Sequence, residues 1–194
     1  MIYSVLRFLA ALLLKIFFQV KAKGRENIPR QGGFILASNH TSFLDPVVLG
    51  VLCPRKLNYM ARHDLFNNPL FGWLLSSINV FAVKRDSADF SAIKEAMHRL
   101  KSGGGLVVFP EGSRSIKGIP EQAQPGVGFL AAKAGVRVVP VFIKGTLEAW
   151  PKNRKTIRCT KISVSFGQQI SIENTMPYQD IAHLVLERIR HLAF

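Results

Sequence analysis

The chain has 194 residues, 48% hydrophobic and 20% charged, which is enough apolar material for one domain with a full core and excludes a disordered chain. Its 26 Lys and Arg outnumber 12 Asp and Glu, and the resulting charge of +14 points to a polyanionic partner: nucleic acid, an anionic membrane surface or an acidic substrate. The two cysteines, Cys53 and Cys159, are too few for a disulfide framework and lack Cys-x-x-Cys spacing, so they read as free thiols in a reducing compartment, with no zinc site.

Met1 to Val20 is nearly all apolar, interrupted by Arg7 and Lys15 about two helical turns apart on one face. A membrane span needs about 20 apolar residues with few charges, and this segment is marginal on both counts. An interfacial helix fits better, its apolar face in lipid and its basic residues at the headgroups. Lys21, Lys23 and Arg25 extend the positive charge, which suits anionic headgroups. A signal peptide, a core helix and a true span are the alternatives. The expected organisation is a membrane-associating helix over 1–22 and an α/β domain over 23–194.

The elements then follow in order. Phe18 to Lys23 reads as a first strand and Phe34 to Ser38 as a buried one. Asp45 to Leu52 is a short helix closed by Pro54, Leu57 to Ala61 a strand, Pro69 to Ser77 an apolar helix and Val80 to Val83 a strand. Ser87 to Lys101 is an amphipathic helix with Phe90, Ile93, Met97 and Leu100 at helical spacing, ended by Gly103 to Gly105. Leu106 to Phe109 is a strand and Val127 to Ala134 a helix closed by Gly135. Val136 to Ile143 is a strand in which Pro140 predicts an edge or a bulge. Ile162 to Phe166 is a strand and Tyr178 to Leu192 a closing helix. Strands alternating with helices predict a single layered α/β domain whose central sheet is largely parallel and flanked by helices.

In a parallel sheet the functional loops gather at the carboxyl ends of the strands. Three such ends carry chemistry. The first delivers Asn39-His40-Thr41-Ser42-Phe43-Leu44-Asp45. A neutral imidazole can take a proton from a hydroxyl, and a carboxylate on its other nitrogen fixes the tautomer and stabilises the imidazolium. No serine or cysteine announces itself as a nucleophile, so the pair suggests a base acting directly on a substrate hydroxyl. A lone histidine capping a strand is the plainer reading, and the other two strand ends weigh against it. One delivers Lys84-Arg85, the other Phe109-Pro110-Glu111-Gly112-Ser113-Arg114-Ser115. Arg85 and Arg114 could hold a phosphate. Gly112 and Ser113 could offer backbone N–H groups or a hydroxyl, and Glu111 could orient an arginine or accept from a substrate hydroxyl.

Together with Val138-Val139-Pro140-Val141, these strings resemble the four ordered blocks of the glycerolipid acyltransferases, nearest the lysophosphatidic acid acyltransferase type. The resemblance runs from about Phe34 to Ile143. His-x-x-x-x-Asp alone is a weak signal, but four blocks in order are a strong one. The resemblance implies His40 as general base, Asp45 as its partner, and Arg85, Glu111, Gly112, Ser113 and Arg114 as the acceptor-phosphate site. Val139 and Pro140 would shape the donor or acyl site. It further implies transfer of a fatty acyl group from acyl-CoA or acyl carrier protein to the sn-2 hydroxyl of lysophosphatidic acid. No bound cofactor or metal is implied. The expected setting is the cytoplasmic face of the cell membrane, with an anionic membrane surface as partner and no nucleic acid.

Two rival readings remain. The acceptor could be another lysophospholipid or a lyso-aminolipid. A non-enzymatic basic module would explain the charge, but neither the His40–Asp45 spacing nor the Glu111 loop; nor do aromatics alternate with basic residues as a stacking platform requires. Lys152, Arg154, Lys155, Arg158 and Lys161 form a basic run that touches headgroups or donor, or is simply solvated. Phe66, Leu70, Phe71, Trp73 and Leu74 are expected in the core rather than along an acyl channel. Gly126-Val127-Gly128-Phe129-Leu130-Ala131 has the dinucleotide-fingerprint string without a preceding strand, so it is discounted.

Overall fold

A computed structural model describes residues 2–84, 89–115, 122–151, 153–154, 156–173 and 175–193. Among these, the strands are β1 (Gln19–Lys23), β2 (Phe34–Ser38), β3 (Leu57–Arg62), β4 (Val80–Val83), β5 (Gly105–Val108), β6 (Arg137–Lys144) and β7 (Lys161–Phe166). They form one sheet in the order β1-β7-β6-β2-β5-β3-β4, parallel except between β6 and β7. The helices are α1 (Ile2–Phe17), α2 (Asp45–Leu52), α3 (Pro69–Ser77), α4 (Phe90–Lys101), α5 (Gly126–Ala134), α6 (Thr146–Ala149) and α7 (Tyr178–His191). The fold is therefore α/β with a mostly parallel sheet flanked by helices, as the alternation of patterns predicts.

β2 is central and every one of its residues is buried. That is why it reads as a continuous apolar run rather than an alternating one. Ile35 and Ala37 face a core built with α4, α5 and α7. Phe34 and Leu36 face a second core that contains Val48 and Leu49 of α2 and Leu14 of α1. The two faces are thus covered by different helices, and α1 joins the α2 side.

α1 docks through its few polar groups. Arg7 Nη2 donates to the carbonyls of Val51 (3.2 Å) and Cys53 (2.6 Å), capping the carboxyl end of α2 where backbone acceptors lack helical partners. The Tyr3 hydroxyl accepts from Leu57 N–H at 3.1 Å. Arg7 therefore points into the protein rather than towards headgroups as the pattern predicts. The outward face is left to Val5, Phe8, Leu9, Leu12, Leu13 and Ile16, with Phe8 68% and Ile16 63% exposed. No helix among the described residues is long and apolar enough to cross a membrane.

Three expectations need correction. Pro140 does not mark an edge: β6 lies between β7 and β2, and Pro140 pairs with Ala37. The irregularity sits on the neighbouring chain instead. Val141 pairs with Phe166, Gly167 N–H donates to Pro140 O, and Val138 bridges Ile170, so the segment after β7 bows past the ring that has no N–H to offer. Phe90 is 78% exposed; Asp89 caps α4, and the buried face runs through Ala92, Ala96 and Leu100. α3 is no core helix. Leu70 (75%), Phe71 (44%) and Trp73 (57%) are exposed, and only Gly72 of that helix is buried. α3 lies by the outermost strand β4, and among the described residues no further layer covers it. The predicted helix start at Ser87 lies outside the described residues.

Candidate active site

β2 and β5 are neighbours and run parallel, so their carboxyl-end loops meet. Asn39 closes the β2 end. Its Nδ2 donates to Ile143 O (2.9 Å) and its Oδ1 accepts from Ile143 N–H (2.7 Å), so a side chain continues the β2–β6 pairing one residue past the strand. The next residue, His40, is thereby delivered at a rigid point.

The β5 loop grips His40 from the other side. Its N–H donates to Glu111 Oε1 at 2.9 Å and its carbonyl accepts from Ser115 N–H at 2.8 Å. Its ring stacks on Phe109 with centroids 3.8 Å apart and planes at 15°. The loop can do this because Phe109-Pro110-Glu111-Gly112 is a turn: Gly112 N–H donates to Phe109 O at 2.9 Å, with Pro110 preset for the bend and Gly112 at φ 70°.

His40 Nδ1 lies 2.9 Å from Asp45 Oδ2. The same oxygen accepts from Thr41 N–H (2.7 Å) and Ser42 N–H (2.8 Å), and Asp45 is fully buried at the start of α2. A carboxylate oxygen is an acceptor, so the shared hydrogen sits on Nδ1 and the lone pair is left on Nε2. With the histidine side chain 14% exposed, that nitrogen can act as a base towards a bound hydroxyl. Glu111 is half-buried. Burial pushes its carboxyl up from the usual 4.5 to about 7; the His40 N–H opposes that rise and the Asp45 charge adds to it.

Arg114 is brought to the same place. Its guanidinium carbon lies 3.6 Å from the centroid of the Phe43 ring, on the His40–Asp45 loop. Phe43 in turn contacts Trp150, 5.1 Å between centroids. Gly112 and Ser113 are exposed at the rim. Thus His40, Asp45, Glu111, Gly112, Ser113 and Arg114 form one cluster. Arg85 lies outside the described residues. Val139 and Pro140 do not join the loops: both are buried within β6, level with Leu36 and Ala37.

Sequence reasoning passed over Asn39 as a clamp, Phe109 as the platform of the imidazole and Phe43 as the seat of Arg114. All three lie inside the quoted strings, but their roles depend on pairings across the sheet. The remaining histidines stand apart: His63 and Asp64 are exposed with Asp64 paired to Arg62, and His183 meets Gln179. Among the described residues no group of three or more His, Cys, Asp or Glu side chains is placed to hold a metal.

A family model described as Acyltransferase matches residues 19–144, from β1 to the last residue of β6. The chain belongs to the acyltransferase family. This acyltransferase is 33% identical over 127 residues to the 1-acyl-sn-glycerol-3-phosphate acyltransferase of Bacillus subtilis, covering 65% of this chain and 63% of that protein. It is 30% identical over 184 residues to the enzyme of the same name from Streptococcus pneumoniae, covering 93% of this chain and 67% of that one. The crystal structure of the 1-acyl-sn-glycerophosphate (LPA) acyltransferase PlsC from Thermotoga maritima is 27% identical. It superposes with a TM-score of 0.82 over 97% of this acyltransferase and 78% of its own chain. The acyltransferase thus spans about two thirds or less of the length of the two curated relatives.

Proposed function

We propose that this acyltransferase moves a fatty acyl group from a thioester donor, acyl-CoA or acyl carrier protein, to the sn-2 hydroxyl of lysophosphatidic acid, forming phosphatidic acid. The observation that carries the reading is His40 held between Asp45 on Nδ1 and Phe109 on its face, beside the Glu111–Arg114 loop. The shared identity of the Bacillus subtilis and Streptococcus pneumoniae relatives as 1-acyl-sn-glycerol-3-phosphate acyltransferases favours this acceptor over other lysolipids.

His40 Nε2 takes the hydroxyl proton as the oxygen attacks the thioester carbonyl. The tetrahedral intermediate collapses with cleavage of the carbon–sulfur bond. The departing thiolate recovers the proton from His40, leaving an ester and a free thiol. Asp45 holds the tautomer and stabilises the imidazolium. Arg114, with Gly112 and Ser113, receives the acceptor phosphate, and by the family resemblance Arg85 joins them. Glu111 acts through His40, whose backbone it holds. Val139 and Pro140 contribute by packing β6 beside β2.

The exposed apolar face of α1 supports membrane association and the charge of +14 supports an anionic surface, and both favour the reading of an enzyme at the cytoplasmic face of the membrane with lipid rather than nucleic acid as partner. The test is an assay of the purified protein with lysophosphatidic acid and either donor, alongside His40→Ala. A loss of about 10²-fold or more is expected. A His40→Ala enzyme with wild-type turnover ends the general-base reading.

A further inference from the structure

A second cationic feature lies on the opposite flank of His40. β5 borders β2 on the side of the Glu111 loop, and β6 borders it on the other. At the carboxyl end of β6 a cleft of about 490 Å³ is lined by Lys144, Lys161, Lys21, Gln19, Ser163 and Glu148, among others. Its lysines converge because of register. Ser163 of β7 is paired with Lys21 on one side and Lys144 on the other, and Lys161 stands two residues before it. Residues level with one another on adjacent strands, or two apart on one strand, point to the same face. Ile162 and Val164 point to the other face, into the core. Among the described residues none of the three ammonium groups has an ion-pair partner, and Glu148 supplies a single negative charge to the cleft.

The cleft is tied to the His40 loop. Asn39 is bonded to Ile143, the residue before Lys144. Thr41 Oγ1 lies 3.3 Å from Thr146 Oγ1, at the start of the α6 turn that carries Glu148. Acyl transfer requires two substrates to meet at Nε2, and both are anionic. The acceptor phosphate is accounted for on the β5 side. The thioester donor carries a phosphate at the end of a long flexible pantetheine arm, common to coenzyme A and to carrier proteins. β7 is two strands from β2, about 10 Å at ordinary strand spacing, which such an arm can span.

We infer that the cleft of Lys21, Lys144 and Lys161 binds the phosphate of the thioester donor, so that acceptor and donor approach His40 from opposite flanks. The inference rests on the acyl-transfer reading of His40. The experiment compares the full chain with Lys21→Gln/Lys144→Gln/Lys161→Gln and with each single change. Binding of a non-hydrolysable thioether analogue of acyl-CoA is measured by calorimetry, and KM is measured for both substrates. Exposed charge contacts of this kind contribute roughly twofold each, so about tenfold weaker analogue binding and a similarly raised donor KM are expected. The lysophosphatidic acid KM and kcat stay unchanged, and the difference fades in high salt. An S-acyl pantetheine without phosphate binds both proteins equally. A phosphopantetheine thioether that loses affinity as much as the CoA analogue assigns the cleft to the arm's own phosphate; loss only with the CoA analogue assigns it to the nucleotide phosphates. Unchanged analogue binding, donor and acceptor KM rising together, or weakened binding to anionic vesicles alone overturns the inference. Analogue binding needs no turnover, so a failure of the acyl-transfer reading, seen as a fully active His40→Ala, is told apart from a failure of the cleft.

Discussion

The backbone N–H of His40 donates to Glu111 Oε1 across 71 positions of sequence. Two loops that end different strands are thereby one unit, and His40 is held through its backbone by Glu111 and Ser115, through its ring face by Phe109 and through its Nδ1 by Asp45. Such over-determination holds a base within the narrow geometry that proton transfer needs.

Asp45→Asn tests the orienting role. An amide can accept from Thr41 and Ser42 N–H groups but is neutral, so it stabilises the imidazolium poorly and can favour the wrong tautomer. The expected outcome is a folded protein with kcat lower by about 10²-fold or more. Thermal melting run beside the assay separates this from unfolding.

Glu111 makes stability depend on pH. Its folded pKa of about 7 lies above the usual 4.5, so between these values the native state binds more protons than the unfolded one. Stability therefore falls as pH rises through that window and levels off above it. Glu111→Gln keeps an acceptor for His40 N–H and removes the titration. Melting temperatures at several pH values should show the wild type losing stability relative to Glu111→Gln from about pH 4.5 to 7. Parallel curves contradict the shift.

Arg7→Met removes the cap from the carbonyls of Val51 and Cys53 and keeps most of the apolar stem. Charged hydrogen bonds of this sort contribute about 1–3 kcal/mol. Chemical denaturation should register a loss of that order, with α1 more open to limited proteolysis.

Gly128→Ala probes the α5–α7 contact. A Cβ at Gly128 would lie 2.0 Å from the Tyr178 carbonyl oxygen, so the helices must part. Overpacking of this kind costs about 1–3 kcal/mol. A neutral substitution would mean that α7 shifts freely.

Phe8→Gln with Ile16→Gln alters two exposed positions of α1 without touching Tyr3, Arg7 or Leu14. Burying apolar side chains is worth about 1.5–3 kcal/mol each, so binding to anionic vesicles should drop at least about tenfold. Denaturation midpoints should not move. Undiminished vesicle binding would remove α1 from the membrane contact.

Much of this was legible locally. The period of the apolar residues placed the strands and nearly all the helices, because burial on one face or two is written into side-chain spacing. The motif strings held His40, Asp45, Glu111 and Arg114. Strand order was not legible, because it depends on pairings between distant segments. Pro140 shows the limit: its missing N–H reads as an edge or a bulge, and only the strand order shows that it is no edge and that the neighbouring chain bows around it inside the sheet.

By itself, then, the sequence determined the α/β class, the residue types of the site and the charge that suits anionic partners, all of which are local or compositional. Only the tertiary structure decided that the β2 and β5 ends adjoin, that Phe109 carries the imidazole, that Arg7 turns inward and that α3 lies uncovered. Each of these depends on which surfaces meet, and that is set by the packing of the whole sheet rather than by any one segment.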